Sequence, residues 1–209
     1  MKKILLVIVA AFGLRAETWV SPAITAAGEL DLVGVPLALP KFDGNLGTLQ
    51  SVRVVISGVA VTNNVEIRSG MAFPAAYSVA LSETLTVSSL VTEPAVYQFS
   101  DTFAGTVDPG ATVTGQHVLT GGASTFWSDQ TIVLSAFTGA GSYVFTVDTV
   151  SPVAGNLPPN CGVSYYGTAG VTAQVTYTYA PSCIDKDKDD DGDDCDDDKR
   201  PRKHRKPKK

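Results

Sequence analysis

The sequence predicts an all-β protein, an antiparallel β-sandwich followed by a disordered, charged C-terminal tail. Two observations carry this prediction. Between residues 17 and 182, apolar and polar residues alternate in short β-branched runs that Gly, Pro, Asp and Ser clusters separate. Beyond residue 183 the alternation stops and charged residues dominate. The 44% apolar composition is sufficient to bury a core in a chain of 209 residues.

The alternating runs predict about eight to ten short strands and no helix. The strand SVRVVISGVAV (residues 51–61) precedes Asn63 and Asn64, which we interpret as a turn leading into VEIRSG (residues 65–70). Further strands are expected in YSVALSETLTVSSL (residues 77–90), AVYQFSDTFAGTV (residues 95–107), QTIVLSAF (residues 130–137) and SYVFTVDTV (residues 142–150).

The last strand, VTAQVTYTYAP (residues 171–181), has the clearest alternation. One of its faces carries Val171, Ala173, Val175, Tyr177 and Tyr179, and the other carries Thr172, Gln174, Thr176 and Thr178. We expect the first face to lie in the core. The preceding YGTAG (residues 166–170) is expected to form a hairpin turn.

The charges are divided unevenly along the chain. From residue 17 to residue 182 there are eleven acidic residues and three cations, Lys41, Arg53 and Arg68. Residues 185–198 then contain ten aspartates, and the last eleven residues contain eight Lys or Arg. This division is typical of a secreted β domain with a charged appendage.

Residues 1–16 match an export signal. Lys2 and Lys3 precede an apolar run over residues 4–14, and Ala16 is the small residue expected at the cleavage point. Eleven apolar residues are too few to cross a membrane core about 30 Å thick. We therefore expect a cleaved signal peptide, and a mature chain without a membrane span.

Several segments resemble the choice-of-anchor E domain. LALPKFDGNLGTLQSVRVVISGVA (residues 37–60) has that family's Leu-Pro-x-Phe-Asp stretch, its Leu-Gly-Thr-Leu and its Val/Thr-rich strand. SDTFAGTVDPGATVTG (residues 100–115), LSAFTGAGSYVFTVDT (residues 134–149) and the end at residue 181 are also similar to it. The resemblance implies a secreted bacterial surface domain of unassigned activity over residues 17–182, extracellular or attached to the cell surface.

The chain departs from that family where its members carry an anchor. A basic cluster is present, but no apolar helix and no sorting motif precede it. The resemblance therefore implies no mechanism of attachment for residues 183–209. Cys161, in LPPNC (residues 157–161), is a second departure.

The acidic segment matches the spacing of a calcium loop. An Asp at every second position of a tight loop brings several oxygens onto one ion, with a glycine at position six for the turn. With Asp187 as position one, that glycine is Gly192. Positions one, three, five, seven and twelve are then Asp187, Asp189, Asp191, Asp193 and Asp198. We expect calcium as the ligand, with a dissociation constant of roughly 10⁻⁴–10⁻³ M. The alternative is diffuse cation binding.

No helices are predicted beside this loop, which disfavours an EF-hand. The loop resembles a single thrombospondin type 3 repeat, with Cys183 and Cys195 at its edges. A Cys183–Cys195 disulfide would contribute about 3 kcal/mol by restraining the unfolded chain. Cys161–Cys183 is the competing pairing, which the expected hairpin at YGTAG disfavours because it would bring Cys161 near Thr176.

The basic end, KRPRKHRKPKK (residues 199–209), has two interpretations. It neutralises the neighbouring aspartates, or it attaches the protein to anionic polysaccharide, another envelope polymer or extracellular DNA. Without interleaved aromatic residues it offers no platform for base stacking, so we expect no specific nucleic-acid recognition. Bound calcium would neutralise the aspartates and free the cations for attachment.

Catalysis has little support in the sequence. His204 lies in the basic run, and His117 has Gly115 and Leu119 as its same-face neighbours on a strand, neither of which orients an imidazole. We therefore predict that the chain is not an enzyme. It is expected to be a non-catalytic, exported cell-surface or extracellular-matrix protein with a calcium loop and a cationic attachment tail.

Two alternatives to this function remain. A carbohydrate-binding module or adhesin would need an exposed aromatic row formed by Trp127 or by Tyr165 and Tyr166, whereas Trp19 and Trp127 are otherwise core or rim residues. A secreted glycoside hydrolase would need two carboxylates facing each other in a cleft. Its candidates are Glu66, Glu83 and Glu93.

Overall fold

The computed structural model describes residues 16–182 and confirms the predicted all-β sandwich. Its eleven strands are β1 (Glu17–Val20), β2 (Ile24–Glu29), β3 (Val35–Pro40), β4 (Gly47–Ser69), β5 (Ala75–Ser88), β6 (Ala95–Val107), β7 (Thr112–Thr120), β8 (Ser124–Ser128), β9 (Ser142–Val150), β10 (Val153–Asn156) and β11 (Cys161–Pro181). A 3₁₀ turn (Gly44–Leu46) precedes β4, and helix α1 (Thr131–Phe137) follows β8.

The first sheet is built around the antiparallel pair β4 and β11. Strands β1 and β2 pair with successive parts of β11, and β7 and β8 pair with successive parts of β4. In the second sheet β5 is central. It pairs with β6 on one side and with β9 and β10 on the other, and β9 also pairs with β3. Each sheet buries one face against the other.

Strands β4 and β11 are much longer than the short strands that were predicted. They contain 23 and 21 residues, whereas globular strands commonly have 3–10. At about 3.3 Å per residue, β4 spans roughly 70 Å. The pair begins where Gly47 lies opposite Pro181, and ends where Ser69 lies opposite Cys161. We call the first end the proximal pole and the second end the distal pole.

Both predicted turns inside these strands are wrong. Asn63 and Asn64 lie within β4, where Asn63 is fully buried. YGTAG lies within β11, and Cys161 therefore pairs with Ser69 at the distal pole and not with Thr176. Strand β4 contains a bulge opposite β11, where Gly58 and Val59 together lie opposite the single residue Val171. Gly58 adopts a φ of +58° there.

Helix α1 corrects the prediction of a strand at QTIVLSAF. Its buried residues are Val133 and Phe137, four positions apart and therefore on one face of the helix. A strand would place Ser135 on the same face as these two residues, whereas in the helix Ser135 is exposed. Phe137 stacks on Tyr143 with ring centroids 4.1 Å apart and packs edge-on against Tyr177. This is the only α-helix in residues 16–182, and it is too short to span a membrane.

The core is divided into two apolar clusters. The larger, proximal cluster contains most of the buried side chains, including the predicted face of the last strand, whose five members are at most 8% exposed. The smaller, distal cluster is centred on Val65, Ile67, Val79, Leu81, Phe103 and Val107. The predicted alternation of residues 171–179 is therefore confirmed. The apolar core is not continuous from one pole to the other.

Candidate functional site

A layer of polar side chains separates the two apolar clusters. It is formed by Asn63 on β4, Glu83 on β5, Asp101 on β6, His117 on β7 and Tyr165 on β11. On β4 and β5, the inward residues on one side of the layer belong to the proximal cluster, and those on the other side belong to the distal cluster. We call these five residues the polar layer.

Tyr165 links the two fully buried members of the layer. Its hydroxyl oxygen lies 3.1 Å from Asn63 Oδ1 and 3.1 Å from Glu83 Oε1. A single hydroxyl proton serves one of these acceptors at a time. Asn63 Nδ2 and Glu83 Oε2 are buried without a hydrogen-bond partner among the described residues. Buried polar groups without a partner in the protein are costly in a core, and this layer is therefore the candidate site of the sandwich.

The environment of Glu83 favours its neutral form. The residue is 1% exposed, and burial raises the pKa of its carboxyl group. The side chains of Tyr165 and Asn63 oppose this shift of the pKa, and repulsion from Asp101 adds to it. Burial also raises the pKa of Tyr165, so its hydroxyl remains a donor. The chemistry that Glu83 and Tyr165 together support is the binding of a proton by the Glu83 carboxyl group.

The outer part of the layer is an aspartate–histidine pair. His117 Nδ1 lies 2.8 Å from both carboxylate oxygens of Asp101, and the imidazole stacks on Phe103 with ring centroids 4.2 Å apart. The His117 side chain is 47% exposed, whereas that of Asp101 is 10% exposed. The Asp101 carboxylate therefore fixes the orientation of the imidazole ring. The partners of the ring in these contacts, Asp101 and Phe103, include no Ser, Thr or Cys that the imidazole could activate as a nucleophile.

The sequence did not reveal this pair because its members lie in different sheets. Asp101 is on β6 in the second sheet and His117 is on β7 in the first. Gly115 and Leu119 are the neighbours of His117 on its strand as expected, and the group that orients its imidazole, Asp101, comes from the other sheet. Gly115 contributes by lacking a side chain, because a Cβ there would overlap the Phe103 ring. No signal within one strand predicts a partner from the opposite sheet.

The predicted calcium ligands, Asp187, Asp189, Asp191, Asp193 and Asp198, lie outside the described residues, as do Cys183 and Cys195. Within residues 16–182, no group of three or more His, Cys, Asp or Glu side chains is arranged to hold a metal ion. The last described residue, Ser182, is fixed at the proximal pole. Its amide donates to the Leu46 carbonyl at 3.0 Å and its hydroxyl to the Asn45 carbonyl at 2.9 Å.

The carboxylates considered for glycoside hydrolysis lie in three separate environments. Glu66 is on the outer face of β4, where it pairs with Arg68. Glu83 is in the core, and Glu93 lies in the loop between β5 and β6. Among these three residues, no two share a cleft.

The aromatic candidates do not form a row. Trp19 stacks on buried Tyr177 with centroids 5.7 Å apart, and Tyr165 points into the core. Trp127 and Tyr166 are 57% and 59% exposed. They lie opposite Arg53 and Asn64 of β4, and these positions are roughly 36 Å apart along the strand. A sugar chain would therefore contact Trp127 or Tyr166 as single rings and not as a continuous aromatic row.

An apolar groove opens at the side of the sandwich between β8 and the loop that joins β5 to β6. Its volume is about 370 Å³. Glu93 is the charged residue of its lining, which also includes Val54, Ile56, Val87, Phe126 and Phe145. The groove is an extension of the gap between the two sheets where their edges are not joined.

Comparisons with known proteins give no family for the chain. No family model and no curated protein matches it. Among solved structures it is similar to an infectious bursal disease virus particle, with 11% identity, a TM-score of 0.19 and coverage of 81% of this chain and 40% of that chain. For the Gx strain of that virus the identity is 8%, the TM-score 0.19 and the coverage 81% and 37%. The chain thus spans well under half of these viral chains, and TM-scores of this size carry no argument about function.

Proposed function

We propose that the chain is a non-catalytic, exported protein that works at the cell surface or in the extracellular matrix. In this proposal residues 17–182 are the displayed domain. Residues 183–209 are a calcium-responsive attachment segment. The export signal and the resemblance to choice-of-anchor E domains support the location. The observation that carries the proposal is the position of both ends of the described chain.

Both ends leave the sandwich at the proximal pole. Glu17, at the start of β1, lies opposite Tyr179 of β11, and Pro181 lies opposite Gly47. Ser182 is bonded to the turn that precedes β4. From this pole β4 and β11 extend roughly 70 Å to the distal pole. A domain attached through its C-terminal segment would therefore present its faces and its distal pole away from the point of attachment.

The charges support attachment through the tail and not through the sandwich. Residues 17–182 carry eleven acidic residues against three basic ones, so an anionic polymer is repelled by this domain. Eight Lys or Arg in residues 199–209 supply the attraction. Neutralisation of the adjacent aspartates by calcium would release these cations for anionic polysaccharide or another envelope polymer.

Removal of residues 183–209 tests this proposal. We expect the full chain to be retained on the surface of the producing cells in calcium, and to be released by a calcium chelator or high salt. A chain that ends at Ser182 should be exported into the medium under all these conditions, because it lacks the only strongly basic segment of the mature chain. Immunoblotting of washed cells and medium measures the partition.

Matched triple variants separate calcium binding from loss of negative charge. Asp187→Ala, Asp189→Ala and Asp191→Ala together remove three predicted ligands. Asp194→Ala, Asp196→Ala and Asp197→Ala together remove the same charge outside the ligand positions. Calorimetry in about 150 mM salt should detect saturable binding of one ion per chain in the second variant and not in the first. Equal retention of the full and shortened chains would contradict the proposal.

A further inference from the structure

The polar layer has no part in attachment, yet it places an acidic group where solvent does not reach. Glu83 is 1% exposed, and its Oε2 has no hydrogen-bond partner among the described residues. Its other oxygen accepts from Tyr165. An ionised carboxylate in such a place is poorly solvated, and burial disfavours its charged form.

The groups around Glu83 do not supply a counter-ion. Asn63 faces it from β4, Tyr165 from β11 and Asp101 from β6. His117, on β7, is engaged with both oxygens of Asp101. Of the Lys and Arg residues in the described chain, Arg53 and Arg68 lie on the exposed side of β4 and Lys41 lies near the proximal pole. The charged side chain that acts on Glu83 is thus a second carboxylate, Asp101, which repels its ionised form.

Strands β6 and β7, which cover Glu83, are held together by side-chain contacts. Strand β6 pairs with β5 in the second sheet, and β7 pairs with β4 in the first, so the two strands meet at a corner where the sheets are not joined by backbone pairing. We call this the β6–β7 corner. The Asp101–His117 pair and the stacking of Phe103 on His117 close it. Separation of these side chains would admit water to Glu83.

We propose that the protonation state of Glu83 controls the opening of the β6–β7 corner. In the closed corner the carboxyl group is buried and binds its proton more tightly than in the open, hydrated corner. As the pH rises, loss of the proton leaves a buried charge beside Asp101, and opening relieves both the desolvation and the repulsion. The distal end of the displayed domain is therefore a pH-responsive element, independent of the attachment tail.

The sign and size of the effect follow from proton linkage. Burial raises the pKa of Glu83, so the closed corner holds the proton over a pH range in which the open corner has released it. Across that range the equilibrium constant for opening should increase with pH, by at most about tenfold per pH unit because one proton is released. Above and below the range it should not change.

Hydrogen exchange of the full chain, followed by mass spectrometry between pH 5 and 8, tests the proposal. After correction for the intrinsic pH dependence of exchange, peptides from β6 and β7 should open more at higher pH. Peptides from β2 should not. Glu83→Gln keeps the shape of the side chain without its ionisation, and should remove the excess pH dependence. Glu66→Gln, a change of the same kind on the outer face of β4, should leave it intact.

Two results would overturn the proposal. One is an opening of the corner that does not depend on pH in the native chain. The other is a dependence that survives in Glu83→Gln, which would assign it to the Asp101–His117 pair. If Glu83→Gln does not fold, carbon NMR titration of the Glu83 carboxyl in the native chain decides. A midpoint at the ordinary value for glutamate, near 4.5, would then refute the proposal.

Discussion

Tyr165 and Tyr166 are sequence neighbours with opposite roles. Successive side chains of a strand point to opposite faces, so Tyr165 enters the polar layer and Tyr166 lies on the outer face of the first sheet. The Tyr165 hydroxyl reaches both Asn63 and Glu83, whereas Tyr166 is 59% exposed. The two residues therefore provide a matched pair for measuring the contribution of one buried hydroxyl.

Replacement of Tyr165 by Phe should destabilise the fold by about 1–2 kcal/mol, because Glu83 Oε1 and Asn63 Oδ1 lose their shared donor inside the core. Tyr166→Phe should change the free energy of unfolding by less than about 0.5 kcal/mol. Urea unfolding at neutral pH, followed by fluorescence, measures both. Equal effects of the two substitutions would show that the hydroxyl of Tyr165 contributes nothing specific.

Asn63 shows why the polar layer could not be predicted from the sequence. An Asn-Asn pair between two β-branched runs is a common turn signal, and the polar side chain gave no sign that it was buried. The alternation of residues 171–179 was interpreted correctly because every inward residue there is apolar. The partners of Asn63 come from strands that are distant in the chain, and local pattern carries no information about them.

At the scale of elements, the glycines of β11 explain why YGTAG continues as a strand. A Cβ at Gly167 would overlap the carbonyl oxygen of Thr62 in the neighbouring strand and the side chain of Leu30. The glycine thus permits close approach of two backbones, and it is not needed for a turn. At Gly162, in the same strand, a Cβ would meet nothing within 4 Å.

Gly167→Ala should therefore lower the free energy of unfolding by about 1–3 kcal/mol, since the added methyl group has to displace a strand or Leu30. Gly162→Ala is the matched control, and should be neutral or stabilising by less than about 1 kcal/mol. Thermal unfolding monitored by circular dichroism compares them. A neutral Gly167→Ala would mean that β4 and β11 separate at this point without cost.

The helix α1 and the long strands show where element prediction failed for a physical reason. The segment TIVLSAF has the β-branched residues of a strand, but Val133 and Phe137 are buried while Ser135 between them is exposed, which fits helical and not strand spacing. In β4, the pattern appeared to end at Asn63 because hydrophobic burial is interrupted by the polar layer and not by the end of the strand. Tertiary packing decided both cases.

For the whole molecule, the division of the core has consequences for cooperativity. Leu85 belongs to the proximal cluster and Leu81 to the distal cluster, with Glu83 between them on β5. Apolar packing is interrupted at the polar layer, so we expect the distal cluster to open while the proximal cluster stays folded.

Truncation of these two leucines tests that division. Leu85→Ala should destabilise the entire sandwich by about 2–5 kcal/mol and increase hydrogen exchange in all strands. Leu81→Ala, on the same strand and equally buried, should increase exchange mainly in β6 and β7 and leave β2 and β3 protected. Equal acceleration of β2 and β3 by both variants would show a single cooperative core.

The position of Ser182 at the end of β11 determines how the molecule would carry mechanical load. A pull on the C-terminal segment enters β11 along its axis, and β11 is flanked by β4 on one side and by β1 and β2 on the other. Against a counter-pull on the distal end of β4, the hydrogen bonds between β4 and β11 are sheared together and are not broken one after another. The two longest strands of residues 16–182, β4 and β11, would thus bear tension along their length.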